Sequence, residues 1–126
     1  MSAGLTLDAG ALIAVERGNG RIRALLRAAA ERSLPVVVPA GVVAQVWRGG
    51  PRQARLATLL ASADVSVVEL DGPAARAVGV LCGRVGQSDV VDGHVALVAR
   101  QRRHIVVTSD PADIAAFDPS LPIAVV

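Results

Sequence analysis

A chain of 126 residues with 52% apolar side chains is long enough to bury roughly two thirds of its unfolded surface in one core, with apolar material left over for an interface. Its single cysteine, Cys82, excludes an internal disulfide and a cysteine-built zinc cage and fits a reducing cytoplasm. The isoelectric point of 9.9 overstates a formal charge of +2, because all thirteen basic residues are Arg and neither Lys nor Tyr titrates in between, so it is weak evidence for a nucleic-acid partner.

Taken in order, Leu5 to Leu7 predict a short strand that ends on Asp8, and the small apolar run after it begins a helix. Gly18-Asn19-Gly20 breaks the chain, and Ile22, Leu25, Leu26 and Ala29 then recur with helical period. Val36-Val37-Val38 is a β-branched run suited to a strand covered on both faces, and Pro39 suits the first turn of a helix bearing Val42, Val43, Val46 and Trp47. After Gly49-Gly50-Pro51 a further helix carries Leu56, Leu59 and Leu60. Val65 to Leu70 predicts a strand, and Asp71 caps a helix whose inner face is Ala75, Val78, Cys82 and Val85. Val91, Val95 and Val98 stripe the next helix, Ile105 to Thr108 is a fourth strand, Asp110-Pro111 opens a short helix, and Ile123 to Val126 closes the chain as a strand. Alternating strands and helices with short connections predict an α/β domain over residues 1–126 with a mainly parallel sheet. No apolar run approaches the roughly 18 residues that span a bilayer, and no basic segment leads the chain, so a soluble cytoplasmic protein without a membrane partner is expected.

In parallel sheets the carboxyl ends of the strands share a crevice. Asp8 and Asp110 both follow strands, and Asp89 and Asp92 share one face near a helix N-terminus. Each of these except Asp92 also stands where an N-cap would stand, as does Asp71, which is read as a cap only. Three or four acids on one rim repel one another unless a cation neutralises them, and magnesium or manganese takes such oxygen ligands. A metal-dependent nuclease is the chemistry this suggests. A receiver domain is disfavoured by the complete absence of Lys, which also removes P-loop and Schiff-base chemistry.

Four segments in this order, TLDAGALIA, VPAGVVAQVWR, DVVDGHVALVA and VVTSDPADI, make the chain resemble the PIN-domain ribonucleases, and more narrowly the VapC-type toxins of toxin-antitoxin pairs. The resemblance covers nearly the whole length. It implies a PIN-like three-layer α/β fold and a magnesium- or manganese-dependent endoribonuclease that leaves a 5′-phosphate and a 3′-hydroxyl. It further implies metal ligation by Asp8, Asp92 (before Ala96) and Asp110 (after Thr108), with Asp89 as a helper, and a homodimer docked by a VapB-like antitoxin. Asp113 matches a position that more often caps the following helix. Gln45 departs from the pattern, standing where the family usually has Glu, so one charge is lost. Gly10 departs as well, standing where a small hydroxyl or amide residue is common.

Gln45 keeps a second expectation open: a PIN-like module of weakened catalysis that binds RNA or protein. His94 is read chiefly as structural, pointing away from Asp92, and His104 as a positive group suited to a helix end. Arg48, Arg52 and Arg55 can hold RNA phosphates or an acidic partner, or form a solvated face. With Trp47 and Phe117 the only aromatics, any RNA would be held through backbone and shape.

Overall fold

The computed structural model describes residues 4–126. Strand β1 (Leu5–Leu7) leads into helix α1 (Ala9–Glu16), and α2 (Gly20–Glu31) returns to β2 (Val36–Pro39). Helix α3 (Ala40–Val46), a 3-10 turn at Pro51–Gln53 and α4 (Ala54–Ala61) precede β3 (Val65–Val68). Then come α5 (Gly72–Val85), α6 (Val90–Arg102), β4 (Ile105–Thr108), α7 (Pro111–Ala115) and β5 (Ile123–Val125). The five strands form one parallel sheet in the order β3-β2-β1-β4-β5, so the expected PIN-like α/β architecture is the one observed.

The burial of each strand follows from its place in that order. β1 and β2 are buried at every residue, as strands covered on both faces are, and the one polar side chain of β1, Thr6, is hydrogen-bonded to His104. β3 lies at an edge, stops at Val68 rather than Leu70, and leaves Val67 48% exposed. Leu7, Leu12, Ile22, Val38, Val95 and Val107 anchor the main core, and a smaller cluster of Val78, Leu81, Cys82, Ala96 and Phe117 joins α5 to α6. There Gly93 is required by close approach: a Cβ would stand 3.2 Å from both Phe117 and Val78. Ala75, expected on the inner face of α5, is exposed, and Leu81 takes the inward position instead. A small residue carries almost no burial signal, so periodicity placed it poorly.

His104 corrects its expectation too. It is buried, with Nδ1 3.0 Å from the Thr6 hydroxyl, and burial followed by the nearby Arg102 charge holds its pKa below the usual imidazole range. It serves as a neutral link between β1 and the start of β4, not as a charged helix end. Among the described residues no helix is long and apolar enough to cross a membrane.

Candidate active site

β1 and β4 are neighbours at the centre of the sheet, with Leu7 opposite Val107, so the residues after them leave the sheet at one rim. Asp8 is buried and caps α1, its Oδ1 accepting the Ala11 N–H at 3.0 Å, while its own N–H donates to the Val107 carbonyl at 3.2 Å. Thr108, fully buried at the end of β4, hydrogen-bonds the Asp8 carboxylate through its hydroxyl, and the same oxygen accepts the Asp110 N–H at 2.9 Å. One hydroxyl therefore fixes two acids from different strands. At sequence level Thr108 marked only the T-x-D spacing, since a contact across a hundred residues leaves no local trace.

The N-terminus of α6 adds the other pair. Asp89 caps it, Oδ1 accepting from the Val91 and Asp92 N–H groups at 3.1 and 3.0 Å. Asp92 sits half-buried in the first turn. Burial above all, then the charges of Asp89, Asp113 and Asp8, push the Asp92 carboxyl up to about 6. Asp8 is also raised, mainly by burial and further by Asp110, against the lowering hydrogen bonds from Thr108, Ala11 and Gly10. Asp113, exposed on α7, is raised by a hydrogen bond shared with Asp110 and by the charges of Asp110 and Asp89. With Asp89 and Asp92 it lines a depression of ≈230 Å³.

The four expected acids are thus brought to one rim, and Asp113 joins them in place of the lone capping role its position suggested. Capping is also real: Asp8 and Asp89 cap their helices, whereas Asp110 stands at the head of α7 without a side-chain cap bond. The two roles are compatible because each carboxylate offers about four lone-pair directions. No basic group is among those that shift Asp8, Asp92 or Asp113. Among the described residues the one ion pair, Arg100 to Asp118 at 2.9 Å, involves none of them.

An all-oxygen, like-charged donor set is the kind a hard divalent cation neutralises, and in chemistry these residues fit one. Among the described residues, no three Asp, Glu, His or Cys side chains already converge as an ion site, so the donors fit in kind and not as a finished cage.

Gln45 lies exposed on α3, in a depression shared with Ile13, Glu16 and Arg48, and hydrogen-bonds to none of the clustered acids. His94 is buried with Nδ1 unpartnered among the described residues, and burial lowers its pKa against the raising charge of Asp71, with none of the rim acids among the causes. Gly10 has a spatial reason: a Cβ there would come within 2.0 Å of the Ser109 hydroxyl, so the β4 exit occupies the room a side chain would need.

A family model described as PIN domain matches residues 5–118. No curated protein gives a significant sequence match. Among solved structures, FitAB bound to an IR36 DNA fragment is similar at 18% identity and TM-score 0.65, covering 95% of this chain and 93% of that one. FitAcB from Neisseria gonorrhoeae is similar at 19% identity and TM-score 0.60, covering 94% and 95%.

Proposed function

The chain belongs to the PIN-domain family, and from that premise we propose that it is a divalent-metal-dependent endoribonuclease of the VapC type, the toxin of a toxin-antitoxin pair in the cytoplasm. The observation that carries the reading is the cluster of carboxylates at the rim of β1 and β4, where burial first and neighbouring acids second raise Asp8 and Asp92, and no basic group is among the causes. Asp8, Asp92 and Asp110 would hold magnesium or manganese. A bound ion of this kind neutralises charge on a phosphodiester and makes water more acidic.

The chain's own contribution is positional. Thr108 holds Asp8 and Asp110 in register, and Asp89 fixes the first turn of α6 so that Asp92 faces the same rim. Individually exposed apolar residues, Trp47, Val67, Leu70 and Val80 among them, are available to a second copy of the chain and to a VapB-like antitoxin.

Gln45 favours the rival, a module that binds RNA with little cleavage, because its neutral amide adds no charge to the cluster. Purified chain, freed of any partner, is expected to cut structured RNA with manganese present, and Asp8→Asn to abolish the cutting with the far-ultraviolet spectrum intact. Absence of cleavage on every RNA tried, together with no manganese binding by calorimetry, would leave the rival standing.

A further inference from the structure

Charge is segregated along this chain. Residues 9–63 hold eight Arg against two acids, a net of +6, whereas Asp8 with residues 64–126 holds five Arg against nine acids, a net of −4. The first group folds into α1 through α4, and the acids of the second include the rim cluster.

Two depressions border α1, and one of them adjoins the rim. One, of ≈310 Å³, is lined by Gly10 and Ser109, neighbours of the rim acids, and runs to Arg17. The other, of ≈320 Å³, holds Arg48 and Arg52 together with one acid, Glu16, whose carboxylate accepts a hydrogen bond from the Gln53 amide at 3.3 Å. Ile13, 37% exposed, borders both, so the two adjoin across the helix that Asp8 caps. From Asp8 at the head of α1 to Arg17 at its end, nine residues advance about 13 Å. At about 3.4 Å per stacked nucleotide of one strand, that is roughly four nucleotides. Among the described residues neither Arg17 nor Arg52 is paired with a carboxylate, and the Arg48 guanidinium donates only to the carbonyls of Ala44 and Trp47, at 3.2 and 2.7 Å.

From this placement we infer that Arg17, Arg48 and Arg52 form a phosphate track that carries the single-stranded flank of the substrate away from the acidic rim. The inference rests on the nuclease reading and adds to it the direction in which RNA leaves the site. The rim repels phosphate wherever no cation sits, so a strand needs basic purchase beside it. The scarcity of aromatics makes that purchase electrostatic rather than stacked. An acidic peptide would also be drawn to three guanidinium groups. RNA is favoured because the track starts at residues adjoining Asp8 and Asp110, where a substrate strand has to pass.

The test is salt-dependent binding of a fluorescein-labelled single-stranded RNA to the full chain in EDTA, followed by anisotropy. Each of Arg17→Gln, Arg48→Gln and Arg52→Gln is expected to lower the slope of log affinity against log salt by about 0.7, and the triple variant by about 2. Between about 50 and 200 mM salt the triple variant then loses roughly 20-fold less affinity than the parent. Arg48→Lys should restore most of the slope, which separates charge from the carbonyl bonds of Arg48, and Arg84→Gln on α5 serves as control. Variants that keep the parental slope overturn the track, as does a defect confined to binding of a poly-glutamate peptide. A parent that shows the Arg-dependent slope yet cuts no RNA with manganese supports the track and defeats the nuclease reading. A parent that cuts while the triple variant binds and cuts equally well defeats the track alone.

Discussion

Replacing Asp92 by Asn should make the metal-free protein more stable while removing its response to metal. Asp92 has its carboxyl raised from 3.8 to about 6 by burial and by the charges of Asp89, Asp113 and Asp8. The folded state therefore holds the proton more tightly than the unfolded chain, so stability is fully present below about pH 3.8 and is lost as pH rises through about 6. At pH 7 the full shift of two units corresponds to about 3 kcal/mol. Solvent screening of a half-exposed group cuts this to about 1.5, and the loss of a charge that favours the α6 N-terminus removes about 0.5 more. A net gain of about 1 kcal/mol raises the melting temperature of a domain this size by about 3–4 °C. Thermal unfolding in EDTA at pH 7 measures it directly, and the gain should vanish near pH 4, where wild-type Asp92 is protonated in the fold. Saturating manganese should stabilise the wild type by about 2.7 kcal/mol at a hundredfold excess over Kd, and the variant by much less. If Asp92→Asn melts at or below wild type in EDTA at pH 7, the picture of a carboxyl penalised by burial and crowded by neighbouring acids is wrong.

Thr108→Val keeps the shape of the strand end but removes the hydroxyl shared by Asp8 and Asp110, and should cost about 1–3 kcal/mol in urea unfolding. It should also raise the Asp8 carboxyl further, moving the acidic limb of the cleavage profile to higher pH. Gly10→Ala should destabilise by about 1–3 kcal/mol through its clash with Ser109, and Ser109→Gly in the same chain should recover most of that in the same assay. Asp118, buried and held below its usual range chiefly by the Ser120 hydroxyl bond and with help from Arg100, contributes stability present above about pH 3.8 and lost as pH falls below it. Asp118→Ala should therefore cost about 1–3 kcal/mol at pH 7, with the difference from wild type shrinking in acid melts.

The parts of this fold that could be read along the chain are those encoded locally. Val36 to Val38 announces a covered strand because three β-branched residues in a row leave no face for water, and all three are buried. Asp71 and Asp89 announce helix starts because a cap bonds within three residues. Ala75 was misplaced because its methyl weighs little in any periodicity, and the end of β3 was overrun because Glu69-Leu70 keeps the composition of a strand after the pairing with β2 has ended. At the rim, the acids were visible by type and position, whereas the Thr108 bridge and the Gly10 contact with Ser109 depend on β1 meeting β4. The gathering of Asp113 toward Asp110 depends in turn on how α7 leaves the sheet, which no spacing rule dictates.

The central position of β1 also governs when a working rim exists during synthesis. Its partner on one flank, β2, emerges about thirty residues later, but its partner on the other, β4, comes a full hundred residues downstream, pairing Leu5 with Ile105. Closing so long a span costs entropy before any contact repays it, and such non-local pairing is slow. A nascent or truncated chain that stops short of β4 thus holds Asp8 with neither Thr108 nor Asp110 beside it. On the proposed reading no dangerous catalyst is assembled until the ribosome has passed β4, leaving an interval in which an antidote can be made.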